Sequence, residues 1–345
     1  MPPALQQVVV LRRFGGPEQF ELTERSMPVA GSGEVRVRVL AASVQFTDVI
    51  LRKGQYPGLH EKPPLVLGYD VVGEVDQVGP GVTGVRIGDR VADLTVTGSY
   101  ARYRTLQAER VTPVPAGVDP AEVASLILSW TTAYQLLHRE AQVKKGQSAL
   151  VQGAAGAVGQ ALLSLGALAG LEMWGTARAE QAGLVRSLGA TPIDRREDNA
   201  RTVVPEGFDV VFDGIGERAF ARSWAAVRRG GMLSAYGVSH SVKTGGSLAS
   251  AGWSLFRVLL WNALPNGKRA SFYSITAMRR KHPEWFRADL ETLFSLLASN
   301  MIQPRVEERI GLDAVADAHR RLEAGGLNGK IVICPESGSV TGARN

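Results

Sequence analysis

The sequence of 345 residues predicts a two-part α/β protein, an irregular β-barrel or sandwich plus a doubly wound parallel sheet. Three observations carry that reading. Residues 1–125 hold short β-branched runs cut by glycine and proline turns. From Pro120 onward, strand-like runs alternate with helical stretches. At roughly 150 residues per domain, the length also fits two domains rather than one.

In the first part, residues 8–11, 34–41, 70–78, 90–94 and 100–105 read as strands. Gly15-Gly16-Pro17, Gly31-Ser32-Gly33 and Gly79-Pro80-Gly81 supply turns between them. The second part opens with helical spacing over 121–140. A buried strand at 148–152 follows, then a helix over 159–171, a strand over 172–176 and a helix over 180–188. Strand 208–213 (FDVVFD), helix 219–229 and strand 232–236 continue the rhythm, which a parallel sheet covered on both faces requires. Segment 241–283 is apolar in patches (WSLFRVLLWNALP, then SFYSITA). It reads as one amphipathic helix plus one sheet strand, with a greasy lid over a substrate cleft or a membrane-surface helix as alternatives. The texture turns mixed again beyond residue 300, with a helix at 312–323 and a strand at 330–334.

Composition narrows the function classes. Hydrophobic residues at 45% and charged residues at 21% describe a folded globular chain rather than a disordered one. A single thiol, Cys334, rules out a disulfide framework and any zinc site built from several cysteines. The net charge is +6, but its densest run, Met278-Arg279-Arg280-Lys281-His282, is too short to track a phosphate backbone; no nucleic-acid partner is expected. Gln152 and Gln160 interrupt the apolar stretch 150–171, and Arg257 interrupts 253–264, so no membrane span is predicted. MPPALQQVVVLRRF has no basic leader ahead of an apolar core, and a cytoplasmic location is expected.

Glycine stands at 39 residues, about 11% against about 7% in an average chain, so its placement carries information. In SALVQGAAGAVGQALLSLG a strand runs into Gly153-x-x-Gly156-x-x-Gly159, where a helix starts. In that context the triplet reads as a dinucleotide loop. A turn this tight favours residues without Cβ, and the helix N-terminus offers its unpaired N–H groups to a pyrophosphate. The next strand ends Thr176-Ala177-Arg178, with no carboxylate until Glu180 to accept from a ribose 2′-hydroxyl. A forked guanidinium at Arg178, with the Thr176 hydroxyl and Arg195 after the following strand, suits a 2′-phosphate instead. The cofactor predicted is NADPH.

These motifs, together with EVRVRVLAASVQFTDVILRKGQYPG, PPLVLGYDVVGEVDQVGPGVTGVRIGDRV and AVADAHRRLEAGGLNGKIVICP, carry a resemblance over nearly the whole chain. The sequence resembles a medium-chain dehydrogenase/reductase of the zinc-independent quinone oxidoreductase group, and within it the bacterial relatives of the synaptic-vesicle protein branch. The resemblance implies a GroES-like β-barrel domain over 1–127 and 302–345, a Rossmann domain over 128–301, and an active site between them. It also implies a cofactor set of Gly153, Ala155, Gly156, Ala157, Val158, Gly159, Thr176, Arg178, Arg195, Gly237 and Asn328.

Zinc-dependent relatives have a cysteine where this chain has Gln45, and a histidine within the segment here written Gly68-Tyr69-Asp70. With both ligands gone, no metal is expected. Direct hydride transfer then needs a hydrogen-bond donor at the substrate carbonyl. The resemblance puts Gln45, Asp48, Tyr56 and Tyr69 near the cleft, with the two tyrosines as candidate donors and Gln45 as an orienting group. Two departures touch the cofactor: Arg178 and Gln181 stand where the family usually has serine and lysine, and Arg195 replaces a tyrosine. The expected activity is reduction of a quinone or of the C=C bond of an α,β-unsaturated carbonyl. A pathway-specific enoyl reductase acting on a polyketide or acyl intermediate is one alternative, and a lipid- or membrane-associated binding protein retaining the fold is another. The resemblance also implies a homodimer paired through the edge strand near 271–277, where SFYSITA, alternating and uncharged, suits edge-to-edge pairing.

Overall fold

A computed structural model describes residues 4–59, 61–196, 200–216, 218–237, 252, 256–258 and 260–336. The chain divides into two compact units, Met1–Leu128 with Leu290–Asn345, and Ser129–Asp289.

The first unit is built on strand Glu34–Ser43, which pairs with Asp70–Val78, Tyr103–Gln107 and Lys330–Ile333, all antiparallel. Its residues alternate between buried and half-buried, so Val35, Val37 and Val39 all point inward. They meet Val71, Val75, Val91, Leu106 and Val111 in one aliphatic core. Asp70–Val78 pairs onward with Arg90–Leu94, and a small second sheet joins Phe20–Ser26, Leu5–Leu11 and Leu65–Val66. The short helix Phe46–Arg52 leaves the end of Glu34–Ser43, and the helix Val315–Ala324 precedes Lys330–Ile333.

The second unit carries one six-stranded parallel sheet. Its spatial order is Thr191–Asp194, Glu172–Ala177, Ser148–Gln152, Phe208–Asp213, Val227–Ala235, Arg269–Phe272. Counted along the chain this is 3-2-1-4-5-6, so the order reverses between the first and fourth strands. That crevice, at the carboxyl ends of the strands, is where open α/β sheets bind ligands. Ser148–Gln152 and Phe208–Asp213, flanked by strands on both sides, are buried along nearly their whole length.

Several elements depart from the pattern reading. The helix expected over 219–229 ends at Ala226, because Val227–Ala235 is a long strand whose first residue, Val227, pairs with Phe208 ahead of an irregularity at 208–210. The strand expected at 271–277 is only Arg269–Phe272; Ser274 then caps helix Ile275–Lys281 by accepting from Ala277 N at 3.5 Å. The alternation of SFYSITA thus spans a strand end and a helix start. Helix Pro283–Ala298 is an element that the pattern reading lacks, although its Pro283-Glu284 opening suits a first helical turn. The helical stretch after Pro120 is present, widened into π turns at Leu126–Trp130 and Leu136–Glu140. Of the segment 241–283, residues 241–251, 253–255 and 259 lie outside the described residues; Trp261–Ala263 is a single 3₁₀ turn.

Candidate functional site

In the parallel-sheet unit the three loop glycines answer three separate demands. Gly153 has φ +69°, a left-handed conformation that turns the chain out of strand Ser148–Gln152. Gly156 is the extended N-cap of helix Ala157–Leu168 and offers no capping side chain. Gly159 packs so closely that a Cβ would stand 2.6 Å from Gly153 O and 2.7 Å from Ala154 Cα. The N–H groups of Ala157, Val158 and Gly159 open the helix and have no intrahelical acceptor, and no acidic side chain lies in that turn. These features fit a pyrophosphate. Ala155 is buried in the turn itself.

Thr176 has a different role from the phosphate contact expected. It is buried, donates its hydroxyl proton to Gln152 Oε1 at 2.7 Å and accepts from Gly153 N at 3.1 Å. Its carbonyl also accepts from Ala154 N at 2.9 Å. The residue locks the turn, with its hydroxyl already committed. Arg178 follows strand Glu172–Ala177 directly and is half-buried; its Nε lies 3.3 Å from Gln181 Oε1 and 3.2 Å from Glu180 Oε1. Arg195 follows Thr191–Asp194, and its N–H donates to Ala177 O at 2.9 Å. Since Ala177 pairs with Asp194, the two arginines follow adjacent strand ends. Gly237 sits just past Val227–Ala235, where a Cβ would come within 2.7 Å of Gly214 O. Asp213 holds that neighbouring turn by accepting from Ile215 N at 2.8 Å and from the Ser223 hydroxyl at 2.6 Å. All these positions share the carboxyl edge of one parallel sheet.

In the barrel unit, Tyr56 and Tyr69 come together. Their hydroxyls lie 2.6 Å apart and their rings meet edge to face at 5.9 Å. Tyr69 is buried and Tyr56 half-buried, so the pair spans from the interior toward the surface of its unit. Residue 70 starts a strand and turns the other way. Asp70 accepts from Ser43 N at 2.7 Å and from Gln45 Nε2 at 2.5 Å. Gln45 is the N-cap of helix Phe46–Arg52, and its N–H donates to Asp48 Oδ2 at 2.9 Å. Lys330 Nζ donates to Gln45 Oε1.

Burial dominates the electrostatics here. It pushes the Asp48 carboxyl up to about 7, against the Gln45 N–H bond that favours its charged form. Burial likewise pushes Asp70 up to about 6, opposed first by the Lys330 charge. It brings Lys330 down to about 8, opposed by Asp70 and Asp48. Beside this cluster the Tyr100 hydroxyl lies 3.2 Å from His319 Nε2, and burial drives the Tyr100 pKa upward.

Asn328, by contrast, is an exposed residue of the barrel unit whose N–H donates to Glu307 Oε2 at 2.7 Å. Sequence reasoning missed Asp70, Lys330 and Ser43. The available signal was the charge itself, a lysine opening the otherwise apolar strand KIVIC. Among the described residues, no group of three or more histidine, cysteine, aspartate or glutamate side chains could hold a metal ion. No helix among them is long and apolar enough to cross a membrane.

Comparison with known proteins identifies the family of this chain. Residues 31–116 match the model of the alcohol dehydrogenase GroES-like domain, and 188–333 that of the zinc-binding dehydrogenase family. A 2-haloacrylate reductase from Burkholderia sp is 31% identical, the match covering 95% of this chain and 98% of that one. A quinone oxidoreductase from Pseudomonas aeruginosa is also 31% identical, over 93% of this chain and 97% of its own. Among solved structures, mycobacterial Rv1454c complexed with NADPH superimposes with a TM-score of 0.83 at 31% identity, covering 96% of this chain and all of that one.

Proposed function

Because the chain belongs to the medium-chain dehydrogenase/reductase family, in its quinone oxidoreductase group, we propose that it is a metal-free, NADPH-dependent reductase. Its acceptor is a quinone or the C=C bond of an α,β-unsaturated carbonyl. The observation that carries this reading is a glycine-built helix N-terminus beside Arg178, where an NADH enzyme would have an acid. The NADPH bound to the mycobacterial neighbour supports it.

NADPH, when bound, supplies the hydride. The backbone of Gly153, Ala155, Gly156, Ala157, Val158 and Gly159 would hold its pyrophosphate, and Arg178 with Arg195 would neutralise the 2′-phosphate. Thr176 keeps the loop in shape, while Gly237 completes the cofactor set on the same sheet edge. Hydride addition leaves negative charge on the substrate oxygen, and without a metal that charge needs a hydrogen-bond donor. Tyr56 is the donor in this reading. Tyr69 orients the Tyr56 hydroxyl through their mutual hydrogen bond, and Gln45 orients the substrate. Neither Gln45 nor Tyr69 has the ligand chemistry of a zinc site.

The test is NADPH and NADH oxidation, followed by absorbance, against a panel of quinones, enones and 2-haloacrylates. The last are included because one relative is named for reducing them. Turnover of at least one activated alkene or quinone, preferring NADPH, is expected. Tight binding of neither cofactor, with no turnover, would refute the reading. The homodimer belongs to the same proposal, with the pairing edge now Arg269–Phe272; a monomer in sedimentation refutes it. A lipid-surface role draws on one observation, the exposure of Phe256, Leu260 and Leu264, and predicts liposome flotation that polar substitutions there abolish.

A further inference from the structure

Lys330 opens the strand Lys330–Ile333 with only 8% of its surface exposed. A buried ammonium is tolerated only where partners hold it. Here the partners form a continuous chain. Lys330 Nζ donates to Gln45 Oε1, Gln45 Nε2 donates to Asp70 Oδ2 at 2.5 Å, and Ser43 N donates to Asp70 Oδ1 at 2.7 Å. Gln45 N in turn donates to Asp48 Oδ2 at 2.9 Å. The Gln45 amide therefore has one orientation. Flipping it would aim its NH₂ at the ammonium and its oxygen at the carboxylate.

We propose that Lys330 is the positioning residue of the candidate site, an internal cation that orients the Gln45 amide and sets how one proton is shared between Asp48 and Asp70. Its catalytic consequence rests on the reductase reading; the shared proton does not.

The charge balance is the argument. One ammonium with two ionised carboxylates leaves the buried cluster at −1, and one bound proton makes it neutral. Low-dielectric surroundings favour the neutral state. All three groups are buried, and the directions agree: both carboxyls are raised and Lys330 is lowered by burial. The charged and titratable groups facing the cluster are few. Tyr100 weighs on Asp48, and His319 hydrogen-bonds Tyr100 at 3.2 Å. The Arg52 guanidinium acts on Tyr100, while its Nη2 is engaged with Glu323 at 2.5 Å. Lys330 is thus the cation that Gln45 links to the carboxylate pair, and its charge acts on both carboxyls. A reduction that adds hydride must also add a proton, and this cluster keeps one beside the residue that orients the substrate.

The experiment uses the full chain labelled with ¹³C at the aspartate carboxyls, with Asp48→Asn and Asp70→Asn variants assigning the signals. The wild type should show an aspartate titrating near neutral pH. Lys330→Met should move that titration upward by about one pH unit or more, as loss of a facing positive charge requires. The charge-balanced double variant K330M/D70N should return Asp48 toward its wild-type midpoint. D70N alone should move Asp48 downward, so the argument stands even if K330M fails to fold. The pH profile of kcat should follow the NMR midpoint in each variant, while NADPH affinity measured by fluorescence stays unchanged. An aspartate set with no titration between about pH 5 and 8 overturns the shared proton. A K330M midpoint that does not move overturns the role of Lys330, as does a kcat profile that ignores the NMR shift. If no substrate is turned over while the NMR shifts occur, the reductase reading fails and the proton assignment stands.

Discussion

Substituting Gly159 by alanine tests the cofactor loop through steric contact alone. The new Cβ would lie 2.6 Å from Gly153 O and 2.7 Å from both Ala154 Cα and Ala154 O. Each of these is a backbone atom, so no side chain can swing aside. Ordinary Cβ contacts begin at 3.4 Å, and the turn and helix must therefore separate by about 0.7–0.8 Å. Overpacking of this kind costs about 1–3 kcal/mol, offset by up to about 1 kcal/mol from the helix propensity of alanine. The melting temperature should fall by a few degrees, at about 2–4 °C per kcal/mol. The effect on binding should be larger. A displacement of that size stretches a hydrogen bond of about 2.9 Å beyond useful length, so NADPH affinity should drop at least tenfold, about 1.4 kcal/mol. The control is Gly183→Ala, in helix Ala182–Ser187, where a Cβ would meet nothing within 4 Å. Fluorescence titration with NADPH and thermal melts of both variants decide the matter. A Gly159→Ala protein that binds NADPH within about twofold of the parent would refute the loop assignment.

The remaining predictions address selectivity, chemistry and pH. Arg178→Ala should weaken NADPH binding by roughly 10- to 100-fold, the worth of one or two charge-assisted hydrogen bonds, and leave NADH binding nearly unchanged; equal losses for both in paired titrations would sink the 2′-phosphate role. Tyr56→Phe removes only the hydroxyl of a half-buried ring, so kcat should fall at least tenfold, by about 1.4 kcal/mol or more, with cofactor affinity intact. A kcat equal to wild type would send the donor role elsewhere. His319 is buried beside Tyr100, and burial holds its imidazole down at about 3. The unfolded chain therefore binds its proton first, and stability from this residue, present above about pH 6.5, is lost as pH falls toward 3. Denaturant midpoints of His319→Gln should accordingly decline less on acidification than those of the parent.

The parts of this protein that could be read from sequence are those whose cause is local. A strand running into Gly153, Gly156 and Gly159 ahead of a helix states its own geometry, because the turn, the helix start and the close approach lie within seven consecutive residues. The same holds for Phe208–Asp213, an apolar run whose bounds the pattern matched residue for residue. Reading failed where two causes compete over one short stretch. SFYSITA alternates as a strand should, yet Ser274 can cap a helix, and tertiary pairing to Val227–Ala235 extends only as far as Phe272. It also failed wherever the cause is distant. The resemblance points to Gln45 as an orienting group and to Tyr69 as a candidate donor, which says nothing about what holds them. The holding groups are Asp70, 25 residues beyond Gln45, and Lys330, 285 residues beyond it. Lys330 at the head of KIVIC reads locally as the solvated start of a strand. Only the pairing of Lys330–Ile333 with Glu34–Ser43 brings that end of the chain to Gln45 and makes the lysine an interior charge. A site lacking the cysteine and histidine of its zinc-dependent relatives still has to neutralise its own carboxylates. In this protein the sequence distance between Lys330 and Asp70 hides that compensation until the sheet is closed.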